Sequence, residues 1–316
     1  MSALAFAIVA LVLVGPVPAA LARSTWPLRA PRAAIVLWQS IALSAVLSAF
    51  SAGIAIASRL FTLGPDGRPT ATLTSEIEAL GWPLWLLYVV VLTVTLLIGA
   101  RLIAAVIQVA IATRRRRAHH RMMVDLVGKP HGATHPTIPS PTGGVRILDV
   151  QQPLAYCLPG VRSRVVLSEG TLTSLSDEEI CAILSHERAH LRARHDLVLE
   201  MFTAVHAAFP RFVRSSSALQ AVRLLIELLA DDAAVRAVGP TPLARALVAC
   251  ASGDTPSGAL AAGGPTTVVR VRRLCGKPNS RILAAGAYLA AVAVLVVPTL
   301  AVAVPWLTEL HRLFAA

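Results

Sequence analysis

Apolar residues along this chain gather into four long runs separated by polar stretches. The first covers Ala3 to Ala22, and the second, Ala33 to Ser58, has only Gln39 and small hydroxyls as polar members. The third runs from Leu84 to Ala100 and resumes beyond Arg101 as far as Ala112; the fourth, Ile282 to Leu307, is broken by Pro298 and Pro305. At about 1.5 Å per residue, runs near 20 residues match a hydrocarbon core of about 30 Å, so each predicts a membrane-spanning helix. Ser44, Ser48, Ser51, Ala52 and Gly53 in the second run suit close helix contact in lipid. Ala20-Leu21-Ala22 resembles a signal-peptide cleavage site, but no basic residue precedes the first run, which favours a retained span.

Between about residues 113 and 280 the pattern changes. Lys129 to Gly144 is rich in Pro, Gly, Thr and His and reads as a linker or surface loop. Short strands are predicted at Val145 to Val150, Leu154 to Leu158 and Arg164 to Ser168, with Pro159-Gly160 as a turn. Helical patterning follows. Ser176-Asp-Glu-Glu179 is a capping box ahead of Ile180, Ile183 and Leu184, and a second helix is predicted from about Ser217 to Val238, ended by Gly239-Pro240.

Charge changes the picture by fixing an orientation. The chain carries a net charge of +12, and many arginines flank the apolar runs: Arg23, Arg29 and Arg32, then Arg114 to Arg117, then Arg270, Arg272 and Arg273. The positive-inside rule places these in the cytoplasm. Arg101 is expected near the cytoplasmic interface with its helix running on, and the less basic loop from Arg59 to Gly81, holding Glu76 and Glu78, is expected outside. The predicted fold is mainly α. Residues 1–112 hold three transmembrane helices, 113–280 a cytoplasmic α+β zincin-like domain, and 281–316 a fourth transmembrane helix with a short extracytoplasmic tail. No aromatic-interleaved basic surface or recognition motif supports direct nucleic-acid binding. At 55% hydrophobic residues, the excess over a soluble domain lies in the four runs. The cysteines Cys157, Cys181, Cys250 and Cys275 form no Cys-x-x-Cys pair and read as reduced thiols.

The chemistry sits in Ser185-His-Glu-Arg-Ala-His190, a His-Glu-x-x-His pattern. On a helix, residues four apart share a face, so His186 and His190 can address one zinc ion, while Glu187, offset by one residue, reaches a water instead. The bland alternative is a pair of surface histidines on an amphipathic helix. A catalytic zinc usually takes three protein ligands. In Ile226-Glu-Leu-Leu-Ala-Asp231, Glu227 is the candidate third ligand, and Asp231, on the same face, is a candidate to fix the tautomer of a ligand histidine. The rival arrangement with a third histidine ten residues after the first meets Asp196 instead, and His195 reads as a surface or supporting residue. Strand Leu154 to Leu158 is a candidate edge for an extended substrate. The Arg270 to Arg273 stretch is read mainly as a topology-setting cluster, with a processing site as the alternative.

Arg164-Val-Val-Leu-Ser-Glu-Gly-Thr-Leu172, Leu175-Ser-Asp-Glu-Glu179, the His-Glu-x-x-His helix and Glu227-x-x-Ala-Asp231 together resemble membrane metallopeptidases of the HtpX and CAAX-protease class. Three spans before the domain and one after resemble more closely the BlaR/MecR group of antirepressor peptidases. That resemblance implies a zinc cofactor, a multi-pass protein of the bacterial plasma membrane, and cleavage of a cytoplasmic transcriptional repressor, often after self-cleavage. It assigns His186, His190 and Glu227 as zinc ligands and Glu187 as the base. Sensor members of the group carry an extracellular penicillin-binding domain after the last span. The sequence given ends at Ala316 with no Ser-x-x-Lys motif there, so a member lacking that domain is expected. Membrane-protein quality control and non-catalytic transduction are the other readings; oligomeric state is not legible.

Overall fold

The structure is a computed structural model and describes residues 2–57, 77, 80–130, 144–160, 163–209, 216–252, 260–261, 266–276 and 279–315. Most of the loop from Arg59 to Gly81 and of the stretch from Lys129 to Gly144 lies outside the described residues. Among the described residues, four helical stretches are long and apolar enough to cross a membrane, the first of them Ala3–Arg23 taken as one, as a multi-pass membrane protein requires. The first run forms two helices, α1 (Ser2–Val14) and α2 (Pro16–Arg23). Pro16 and Pro18 bring no amide hydrogen, so the break falls at Gly15-Pro16.

Helix α3 (Pro31–Ala57) and helix α4 (Trp82–Val127) pack closely. A Cβ on Gly53 would run into the side chain of Thr95, and one on Gly99 would meet Phe50 Cζ at 2.9 Å. Small residues here let two backbones approach, which compensates for the lack of hydrophobic driving force in lipid. Helix α4 is unbroken over 46 residues. Arg101 does not interrupt it.

A five-stranded sheet follows, in the order β1-β2-β4-β3-β5. β1 is Lys129–Pro130, β2 Val145–Leu148, β3 Ala155–Leu158 and β4 Arg164–Ser168. β2 runs parallel to β4, and β3 antiparallel to it with Tyr156 opposite Val166. Tyr156, Leu158 and Val166 pack on Val124 of α4, whereas Ala155, Val165 and Leu167 face the opposite side. Alternate residues are thus buried on both faces, which is why these strands read as continuous apolar runs.

The rest is helical: α5 (Glu169–Ser174), α6 (Asp177–Arg192), α7 (His195–Ala208), α8 (Ser216–Val238) and α9 (Pro240–Ala249). The short strand β5 (Leu260–Ala261) and α10 (Thr267–Leu274) then lead to α11 (Arg281–Ala315). Ile180, Ile183 and Leu184 of α6 bury against the sheet, and Val222, Leu225, Ile226 and Leu228 of α8 join Trp38 and Ile41 of α3 in one core. Helix α7 lies along α4: Arg117 pairs with Asp196 at 3.0 Å, and Arg101 Nε donates to the Ala208 carbonyl at 2.6 Å. The segment between α2 and α3 meets the stretch from α10 to α11, because Arg273 Nε donates to Leu28 O and Ser280 N–H to Arg29 O.

Two expectations are corrected. Helix α11 passes through Pro298 and Pro305 without a break. Pro298 cannot donate to the carbonyl four residues back, that of Val294, and Ser44 Oγ of α3 donates to it instead at 2.7 Å. Strand β3 is not a free edge either. Its far side pairs with β5, Tyr156 opposite Ala261 and Cys157 opposite Leu260, because the chain returns beside it after α9.

Candidate metal centre

Helix α6 starts where the sequence places it. Ser176 Oγ accepts from the Glu179 amide at 3.4 Å, and the Ser176 amide donates to Glu179 Oε2 at 2.9 Å. This reciprocal cap fixes the register, and ten residues on from Ser176, His186 falls on the buried side. Across from it runs α8. Ala182 packs with Ala234, His186 Nδ1 lies 3.0 Å from Asp231 Oδ1, and His190 Nε2 lies 3.5 Å from Glu227 Oε1. Each turn gained along α6 is a turn lost along α8, so the helices are antiparallel and their four-residue spacings interlock.

His186, His190 and Glu227 each offer one donor atom, all within 4.8 Å of one another. The two Nε2 atoms are 3.1 Å apart, and His186 Nε2 is 3.4 Å from Glu227 Oε2. Tetrahedral bonds of about 2.0–2.1 Å would set donors about 3.3–3.4 Å apart, so the residues present fit zinc. The histidines are fully buried, whereas the Glu227 side chain remains 14% exposed. Glu187 is 0% exposed, and neither carboxylate oxygen accepts a hydrogen bond from an N–H or O–H group among the described residues. A buried carboxylate with no donor is costly, and its persistence beside the donor triangle marks a site built for a water or a cation.

Burial pushes Glu187 up to about 7, the His186 imidazole opposing the shift and Glu227 adding to it. Burial also drives His190 down to about 3, which keeps its ring a neutral donor. Glu227 goes the other way: burial would raise it, but His190, His186 and Arg270 together hold it at about 2. For His186, burial is outweighed by Asp231 and Glu227, and the ring is raised to about 9.

Arg270 was read from sequence as part of a juxtamembrane charge cluster. The structure buries it to 1% exposure, where Nε and Nη2 grip Asp231 Oδ2 and Oδ1 at 2.8 and 2.6 Å, and Nη1 lies 3.1 Å from Glu227 Oε2. The sequence signal was its company: Arg272 and Arg273 disguise the one arginine whose helical face turns inward. A processing site at Arg270 is therefore excluded in this fold. Arg270→Met should leave two carboxylates buried without their cation, a cost of about 3–5 kcal/mol. It would be read as a lower melting temperature of the detergent-solubilised chain; an unchanged one would show that the pair contributes nothing.

Of the two readings for His195, surface or supporting, the structure fits the second: it is buried, with Nδ1 3.0 Å from His190 Nδ1. Asp196, at the position of the rival third ligand, instead pairs with Arg117. Cys157 of β3 sits beside the base candidate, and burial with the Glu187 charge pushes its thiol well up. All four cysteines are free thiols. His120 contacts the Tyr156 hydroxyl at 3.0 Å, away from the triangle.

Residues 113–277, just over half of the chain, match the sequence profile of Peptidase family M48. No curated protein and no solved structure matches the chain.

Proposed function

This chain belongs to peptidase family M48 and is a zinc metallopeptidase of a multi-pass membrane protein; from that premise we propose that it is an antirepressor of the BlaR/MecR kind, an endopeptidase that cuts a cytoplasmic transcriptional repressor. The observation that carries the hydrolytic part is the convergence of His186, His190 and Glu227 beside the buried carboxylate of Glu187, which no N–H or O–H group among the described residues reaches. Three spans ahead of the site and one behind it, with arginines clustered on the site's side of the spans, support the regulatory part.

In this reading His186, His190 and Glu227 hold the metal. Bound zinc supplies a Lewis acid for the scissile carbonyl and makes water more acidic. Glu187, raised toward neutrality by burial, takes a proton from the attacking water and returns it to the departing amine. Asp231 accepts from His186 Nδ1 and so presents Nε2 to the metal, while Arg270 holds Asp231 in place through two hydrogen bonds. In this reading the peptidase region faces the cytoplasm, on the same side as a repressor.

The test compares cells carrying the intact chain with cells carrying Glu187→Gln and identifies proteins that accumulate uncut in the variant. One DNA-binding repressor is the expected result. Accumulation of many damaged membrane proteins would replace the regulatory reading with quality control.

A further inference from the structure

A second cavity, of about 530 Å³, lies between the start of α3, the outer face of α6 and the adjoining face of α8. Four arginines line it: Arg32 from α3, Arg188 and Arg192 from α6, and Arg236 from α8. No Asp or Glu lines it. Among the described residues, Arg32, Arg192 and Arg236 make no ion pair and no side-chain hydrogen bond. Arg188 and Arg192 stand one turn apart, and burial together with the Arg192 charge pulls the Arg188 guanidinium down from its usual range. Like charges gathered around one space repel unless an anion sits among them.

The floor of the cavity is apolar, with Val36 of α3 and Leu229 of α8 partly exposed in it. Arg32 is the second residue of a candidate membrane span and Val36 lies a turn further into it. The charged mouth is thereby set at headgroup depth, and the apolar floor runs toward the bilayer interior. We infer that this cavity binds an anionic phospholipid, its phosphate held among Arg32, Arg192 and Arg236 and its acyl chain laid along Val36 and Leu229. Basic pockets between membrane helices suit such headgroups, each cation near the surface contributing about the same small increment of attraction. The inference does not depend on the peptidase reading, since none of the four arginines touches the metal centre.

The full chain, purified in neutral detergent, is examined by native mass spectrometry with added phosphatidylglycerol, phosphatidylcholine, inorganic phosphate or an acidic peptide. Phosphatidylglycerol should be retained in preference to phosphatidylcholine. Arg192→Gln with Arg236→Gln, both exposed positions, should weaken retention roughly thirtyfold at an unchanged melting temperature, and the corresponding double lysine variant should restore most of it. Equal retention by wild type and the glutamine variant would overturn the proposal. So would equal retention of the two lipids, or tight binding of inorganic phosphate or the acidic peptide at the expense of lipid. The wild-type lipid preference decides the matter even where a variant fails to fold.

Discussion

Glu187→Gln is expected to lower peptide hydrolysis by a factor on the order of 10²–10⁴, the range of a lost general base, while bound zinc stays stoichiometric. The reasoning is geometric. Glu187 shares α6 with both histidines but stands outside the triangle of donor atoms formed by His186, His190 and Glu227. Removing its charge therefore takes away proton transfer without removing a metal ligand. The substitution should not harm the fold, because the carboxylate is buried with no N–H or O–H donor and an amide is cheaper to bury there. Metal analysis and a peptide-release assay on the same preparation check both halves. Hydrolysis that survives the change would eliminate Glu187 as the base.

Glu227→Gln should act at the other end of the site. It keeps the side-chain volume but withdraws the one anionic donor from the triangle and one of the two carboxylates facing Arg270. Zinc affinity is expected to fall by more than the roughly 10–100-fold that an outer hydrogen-bond partner costs, with hydrolysis lost in parallel and partly recovered in excess zinc. Asp231→Asn, which perturbs the partner of His186 Nδ1 rather than the triangle, should fall within that 10–100-fold range. Competition with a metal-responsive dye measures both. Full zinc retention by Glu227→Gln would remove it from the ligand set.

Much of this architecture could be read before any coordinates, and the reasons are physical. Four apolar runs and a helix with a capping box are local signals, so the starts of the spans and of α6 emerged within a residue or two, whereas α4 and α11 run on past their apolar runs to Val127 and Ala315. The meeting of His186, His190 and Glu227 was legible because four-residue spacing on two helices leaves few other ways to bury them. Arg270 was hidden, since nothing local distinguishes it from Arg272 and Arg273, and its burial depends on where α10 lands. The uninterrupted course of α11 was hidden for the same reason: the donor that replaces the missing amide of Pro298 is Ser44, 250 positions from the Val294 carbonyl it reaches. β5 eluded pattern reading because two residues are too few to alternate.

The uninterrupted length of α4 has a mechanical meaning. Its 46 residues form a strut of about 69 Å, packed against α3 at Thr95 and Gly99 and meeting the sheet near its far end through Val124. With no hinge along it, a 5° tilt about one end displaces the other by about 6 Å. Arg117 fastens this lever to Asp196, next to the histidine that touches His190.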